Sequence, residues 1–508
     1  MALDAVFLLV EAFKTPWTCA ILTLVTVGFL LIDFPTVYPG VPLLGARRGT
    51  LDRRAAGREF RLRGREMVQE FAKTNKPFQI ITETGTKIFL PVRYAEEIKD
   101  IKELSFTQAL AKELFAGYSG FEPIAAIADE SNIIQTVARL NITTSLKYLT
   151  DDVSTEAAAA LAESLGNDTE EWRAVLVKPF TRNLAARLSA RVFVGPSLCA
   201  DKAWLAVSAG YAAQCHIASF KLQAWPRPLR KAANWLLPEC RALRKMVGQA
   251  RRILKPIVAE RHGKPREDTI SWLQKALRAS KLTRYTVADF QLGLSLAAIH
   301  TTTELLTHAL LDIVAAGPDL IDDLRKEIIN VFGESSSDGS VFTKTRLYNM
   351  RLLDSAIKES QRVHTARLGG MGRVATKPTT LPSGLHIPRG AYTTVLLTSH
   401  SDPDLFPSPE TYNPRRFLEM RSRPGQDKNW QLVTTSPHHL AFGYGAHACP
   451  GRFLAAAEVK IALVRLLMGY DWRVQGGRSG DVGLVSALRV ADPTARVWYR
   501  ARESEVSF

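Results

Sequence analysis

Apolar residues recur at intervals of three and four along most of this 508-residue chain, and the longest such stretch runs from Thr286 to Ala316. It holds no proline and Gly317-Pro318 follows it, so the spacing predicts one long helix with a defined stop. Extended patterns flanked by turn residues lie near Phe78 to Pro91 and again near Thr380 to Thr398, and they predict a small strand-rich part. The expected fold class is mainly α with a minor β component. The amino terminus reads differently: Trp17 to Ile32 is uncharged and largely apolar, and Ala5 to Val10 forms a second apolar patch before Glu11 and Lys14. At about 16 residues the longer run is somewhat short of the roughly 20 that cross a bilayer, which a tilted or mismatched span accommodates.

Pro39, Gly40 and Pro42 then form a stiff hinge, followed by Arg47, Arg48, Arg53, Arg54, Arg58, Arg61, Arg63 and Arg65. By the positive-inside rule this arginine excess keeps the main body cytosolic. The expected organisation is a single transmembrane helix within residues 1–38, a hinge and basic segment over 39–66, and one large domain over 67–508. A cleaved export signal is the rival reading, but no small-residue cleavage site stands out, and the five cysteines are an odd number for an oxidising compartment. Hydrophobic residues make up 46% of the chain, enough for a large core, and no repeat or low-complexity linker divides it. The formal charge of +16 is read as basic residues near anionic headgroups and as a basic docking face for an acidic partner. No nucleic-acid role is expected, and no convincing nucleotide-binding glycine loop is present.

The most informative chemistry lies in Ala441-Phe442-Gly443-Tyr444-Gly445-Ala446-His447-Ala448-Cys449-Pro450-Gly451-Arg452-Phe453. It places a cysteine in a glycine-rich loop that opens a helix, whose amino-terminal partial charge favours a thiolate. Glycines let the backbone turn tightly toward the sulfur and a flat ligand. Pro450 has no amide hydrogen to offer the sulfur. Elsewhere, Glu359 and Arg362 stand three apart, on one face of a helix.

The spacing Phe442, Gly445, Cys449, Gly451 resembles the haem-binding signature of the cytochrome P-450 family, matched at each defining position. Glu359 and Arg362 then correspond to its E-x-x-R pair. Asn413-Pro414-Arg415-Arg416-Phe417 is similar to its P-x-R-F element, in which Arg416 bridges Glu359 through a bidentate guanidinium contact as a structural lock. The resemblance implies the cytochrome P-450 fold from about Pro39 to the carboxyl end, haem b (iron protoporphyrin) as cofactor, and Cys449 as axial ligand of the haem iron. Phe442, Gly445, His447 and Gly451 would be cofactor-binding, with His447 and Arg373 near the haem carboxylates. The family's W-x-x-x-R has no counterpart, and Arg139 or Lys147 are the candidate replacements.

Within the long helix, Ala297-Ala298-Ile299-His300-Thr301-Thr302 is similar to the family's [AG]-G-x-[DE]-T-[ST] element, with His300 in place of the acid. Thr301 either manages protons on the distal side or bonds back to its own preceding turn, and His300 either relays protons or makes a structural hydrogen bond. The A-I-H-T-T form resembles a fungal branch that includes ent-kaurene oxidase. The resemblance implies a monooxygenase acting on a hydrophobic secondary metabolite, foremost a terpenoid, with electrons from an NADPH-dependent flavoprotein reductase at the endoplasmic reticulum membrane. A haem-thiolate isomerase or dehydratase, a non-catalytic haem sensor, and a polyketide or alkaloid substrate are the alternatives. Family layout points to pocket walls at Phe115 to Phe121, Leu292 to Thr301 and Thr365 to Met371. The segment from Trp225 through Arg230 to Leu237 mixes aromatic and basic residues, and is either a bilayer-dipping element or an ordinary packed helix junction.

Overall fold

The computed structural model describes residues 20, 34–45, 53–263, 266–333, 341–365, 367–474, 482–485, 488–506 and 508. Apart from Ala20, the apolar run from Trp17 to Ile32 lies outside the described residues. Among the described residues no helix is long and apolar enough to cross a membrane.

The helices that frame the site are α1 (Arg53–Ala72), α2 (Thr143–Leu165), α3 (Val177–Phe193), α4 (Lys202–Gln223), α5 (Pro238–Gly263), α6 (Val287–Ala316), α7 (Arg351–Val363) and α8 (Arg452–Gly469). Helix α1 runs through the expected 66/67 division. Helix α6 is the long helix anticipated from the apolar spacing. It begins where the Thr286 amide and hydroxyl both donate to the Asp289 carboxylate at 2.8 Å, a capping arrangement that satisfies otherwise orphaned groups. It ends at Gly317, whose φ of +99° suits glycine. Leu306, Leu310 and Ile313 on α6 are fully buried, and truncating any one to alanine would cost about 2–5 kcal/mol. Around α6 pack α3, α4, α5, α7 and α8, and Gly293 lets it approach Pro123, Ile127 and Ile134 closely: a Cβ there would sit 3.0–3.1 Å from them.

The strand-rich part is a five-stranded sheet of β1 (Phe78–Thr82), β2 (Gly85–Leu90), β3 (Leu104–Ser105), β4 (Gly369–Ala375) and β5 (Tyr392–Leu396), in the order β1-β2-β5-β4-β3. Only β2 and β5 run parallel, with Lys87 opposite Tyr392 and Leu90 opposite Val395. Ile88, Leu90, Val395 and Leu440 form its core together with Tyr38 and Val41 from the Pro/Gly hinge. Arg173–Leu176, Tyr470–Arg473 and Arg496–Ala501 make a second, antiparallel sheet. The expected strand regions are thus found, and the stretch after Thr380 splits between a short hairpin and β5.

Candidate active site around Cys449

The loop before α8 is held in shape by its own backbone. The Cys449 amide donates to Phe442 O at 2.8 Å, and those of Gly443 and Ala448 donate to Leu440 O and Gly445 O. Gly443 and Gly445 adopt φ of +68° and +74°, where a side chain is strained. Gly445 has a second reason: a Cβ would lie 2.5 Å from Lys99 Cβ and 2.6 Å from Lys99 O. Burial pushes the Cys449 thiol up, opposed by the amides of Gly451 and Arg452 and by the Arg452 guanidinium. Among the described residues, Cys199, Cys215 and Cys240 are buried, and their thiols are all raised, the first two to about 11 and about 12. Of the four described cysteines, only Cys449 is both partly exposed and faced by two backbone donors.

Beside this loop lies a convergence of cations. Arg373 on β4 is 2% exposed, yet only its Nη1 is engaged, donating to Gly372 O at 2.9 Å, while Nε and Nη2 have no partner. Burial lowers its pKa to about 10. The Phe106 ring connects it to His447: the Arg373 guanidinium lies 5.8 Å from the ring centroid, and the His447 ring 6.0 Å. His447 is pushed below its ordinary range by burial, then by Arg373 and Arg139. Arg139 also acts on Arg452. It sits in a π-helical segment, Val137–Ile142, a distortion frequent at functional sites. Lys147 instead lies over the Tyr148 ring at 4.5 Å, so of the two candidates only Arg139 joins the cluster.

The distal helix is buried from Val287 to Ser295 and again from Leu305 to Val314; between them Ala297 and Thr301 are exposed one turn apart, and Leu296, Ala298, His300 and Glu304 are half-buried. The Thr301 hydroxyl donates to Ala297 O at 2.9 Å, the back-bonded arrangement. His300 Nε2 is buried without a partner, and burial, with His216, Arg182 and Lys178, lowers its pKa to about 4. Of the residues in the expected walls, Phe115, Phe121, Leu292 and Leu294 lie in the main buried core. Thr365 departs from the third: its hydroxyl bonds to Arg362 O at 2.8 Å and to His400 Nδ1, because a turn at the end of α7 aims it at the lock.

Glu359, Arg362 and Arg416 do come together, at 0%, 2% and 7% exposure. The bidentate partner of Glu359 is Arg362, at 2.9 and 2.8 Å, and Arg416 gives a single Nε contact at 2.9 Å. The expected bidentate role of Arg416 is thereby corrected. Its terminal nitrogens donate instead to carbonyls of Pro407, Ser408 and Thr411, so it gathers the loop preceding it around the carboxylate.

These residues fit a haem. A sulfur faced by amides suits an iron ligand, and Gly451 beside it meets nothing within 4 Å of a would-be Cβ, leaving room for a planar macrocycle. Two unpartnered nitrogens of a buried guanidinium match a carboxylate. Sequence reasoning missed Phe106, which carries no motif, and Arg452, which was visible only as part of the loop.

The family model for cytochrome P-450 matches residues 151–482. Cytochrome P-450 monooxygenase adrA of Penicillium rubens is 40% identical over 446 residues, 85% of each chain. Cytochrome P-450 monooxygenase 1 of Gibberella fujikuroi is 36% identical, covering 85% of this chain and 99% of its own. For easM of Aspergillus fumigatus the figures are 35% and 95% of each chain. With the cysteine loop, the buried lock and the long distal helix in place, this chain belongs to the cytochrome P-450 family and is a haem-dependent monooxygenase.

Proposed function

We propose that Cys449 is the axial ligand and that the enzyme oxidises a hydrophobic secondary metabolite, with a terpenoid as the first candidate. The observation that carries this reading is the partly exposed Cys449, faced by the amides of Gly451 and Arg452 and flanked by Arg373 with two unpartnered nitrogens. A thiolate-ligated haem supplies cleavage of the oxygen–oxygen bond. Arg373 and Arg139 would hold its carboxylates, with His447 adding an N–H and Phe106 packing between Arg373 and His447, while Arg452 steadies the cysteine loop by donating to Val433 O and Cys449 O. On the distal side, Ala297 leaves space, and the Thr301 hydroxyl, once released from Ala297 O, would hold a proton for the oxidation that the haem supplies. His300, neutral at physiological pH, supplies or accepts a hydrogen bond at Nε2. The apolar wall around Phe115 and Leu292 excludes water and favours a hydrocarbon framework. Electrons come from an NADPH-dependent flavoprotein reductase, and the protein is anchored by residues 17–32 in the endoplasmic reticulum membrane with its body in the cytosol.

The test is co-expression with such a reductase and incubation with a terpenoid and polyketide panel, following NADPH, dioxygen and product together. Matched consumption with an oxygenated terpenoid supports the proposal; turnover confined to polyketides sinks its substrate class. For the ligand, Cys449→Ala should abolish the red-shifted absorption band of the reduced, carbon monoxide-bound protein, and retention of that band overturns the assignment.

A further inference from the structure

Arg367 lies between α7 and β4, within the third expected pocket wall, and its guanidinium is exposed. Among the described residues no hydrogen bond, ion pair or ring contact engages it. It nevertheless acts electrostatically on groups from three elements: Glu113, at the end of the short helix Phe106–Glu113, His216 on α4, and Tyr392 on β5. The acid among them is already committed. Glu113 accepts from Lys87 Nζ at 2.6 Å and from the Tyr392 hydroxyl at 3.0 Å, one bond to each carboxylate oxygen. Burial raises the Glu113 carboxyl, yet Lys87 and then Arg367 hold it down at about 2, so it is ionised and balances Lys87. Arg367 is the cation left without a partner.

The neighbours of Arg367 connect it to the distal helix. On α4, Ala213, His216, Ile217 and Phe220 are exposed at helical spacing and form one open face, while Tyr211, Cys215, Ala218 and Leu222 are buried. The Arg61 guanidinium of α1 lies 4.2 Å from the centroid of the Phe220 ring, so α1 borders this face. His216 has open surface, yet burial is the largest influence lowering its pKa, followed by Arg367. A side chain that is both uncovered and desolvated borders a cleft rather than bulk water. His216 is in turn the first titratable neighbour acting on His300, which adjoins Thr301. The order Thr301, His300, His216, Arg367 thus leads from the distal helix past α4 to the segment before β4, with Ile217 and Phe220 on the same face of α4 as His216.

We propose that Arg367 anchors a carboxylate of the substrate, with His216 as a second hydrogen-bonding group, so that the enzyme takes an apolar framework carrying a single acidic group remote from the carbon it oxidises. An unpaired charge in a desolvated cleft is costly until it meets an anion, and the flat guanidinium fork matches a carboxylate. Glu113, ionised and acting on the same guanidinium, disfavours a dianion such as a phosphate monoester, whereas one negative charge is balanced by Arg367. The inference deepens the hydrophobic-substrate reading given above and rests on it.

The test titrates full-length ferric holoenzyme at neutral pH with matched acids and alcohols, abietic acid with abietinol and dodecanoic acid with dodecanol, and reads the shift of the haem Soret band. In wild type the acid of at least one pair should bind at least about tenfold more tightly than its alcohol. Arg367→Gln should remove that preference by weakening the acid alone, and Arg367→Lys, which keeps the charge without the fork, should keep part of it. Arg278→Gln, an equal loss of charge on an exposed helical position, should leave it intact. Equal weakening of acid and alcohol by Arg367→Gln, or the same loss of preference in Arg278→Gln, overturns the anchor. So does loss of haem from Arg367→Gln, which assigns the guanidinium to the cofactor. Alcohols that bind wild type as tightly as their acids sink the carboxylate assignment and leave the hydrophobic-substrate reading standing, whereas no band shift with any of these probes sinks both.

Discussion

Replacing Arg373 with methionine should act in opposite directions on the haem-free and haem-bound protein. The guanidinium is 2% exposed with two nitrogens unpartnered, and burial lowers its pKa to about 10 from an ordinary value of about 12.5. That difference of about 2.5, at about 1.36 kcal/mol for each pH unit, corresponds to about 3 kcal/mol of destabilisation by the charge in the folded protein. An apolar side chain of similar length removes this cost, so Arg373→Met should stabilise the haem-free protein by up to about 3 kcal/mol in urea unfolding. With haem bound, the same change deletes a charge-assisted hydrogen bond to a carboxylate, about 1.5–3 kcal/mol. Haem transfer to an excess of apomyoglobin should then accelerate about tenfold or more. Arg373→Lys, which keeps the charge, should fall between the two. A variant that loses stability without haem and keeps its haem as tightly as wild type refutes the assignment of Arg373 to a haem carboxylate.

Glu359→Gln strands two buried guanidiniums and should cost about 3–5 kcal/mol in urea unfolding; a loss below about 1 kcal/mol would show that the carbonyl contacts of Arg362 and Arg416 carry the lock by themselves. Thr301 is exposed and bonded only to its own helix, so Thr301→Ala should shift the melting temperature little while raising peroxide release per NADPH, and unchanged coupling argues against a distal proton role. His400 is fully buried and its pKa is lowered to about 3, below the ordinary value of about 6.5. Folding therefore favours its neutral form, a contribution present above about pH 6.5 and lost as pH falls toward 3. Melting temperature should fall over that window, and less steeply in His400→Asn; identical slopes would assign the acid lability elsewhere.

What was legible in the sequence was what is local. Thr286 and Gly317 bound α6, and the loop from Phe442 to Gly451 declares its cysteine, because caps, tight turns and a ligand beside a helix start depend on neighbours in the chain. Contacts across the fold were less so. Nothing near Gly445 announces that its missing Cβ makes room for Lys99. Arg416 looked like the bidentate arm of the lock, but Arg362, one helical turn from Glu359, reaches both oxygens first and leaves Arg416 to the Pro407–Thr411 carbonyls.

The two faces of the site differ in how tightly charge is arranged. On the Cys449 side, Arg139, Arg373 and Arg452 come from a π-helical segment, a strand and a helix start, and Asp100 is the one acid acting on His447. That imbalance suits a dianionic cofactor whose identity does not vary. On the distal side, the acidic side chain one turn beyond Thr301, Glu304, is held by Lys178 at 2.5 Å and accepts from the Ala491 amide at 2.9 Å. With Glu304 so engaged and His300 neutral, the distal face offers a hydroxyl and an unpartnered imidazole nitrogen among apolar walls. On the proposed assignment, the residues that choose the substrate are separable from those that hold the cofactor. Substitutions at His300, Ala297 or Leu292 should redirect oxidation among scaffolds, while those at Arg373 or Gly445 should lower haem content for every substrate alike.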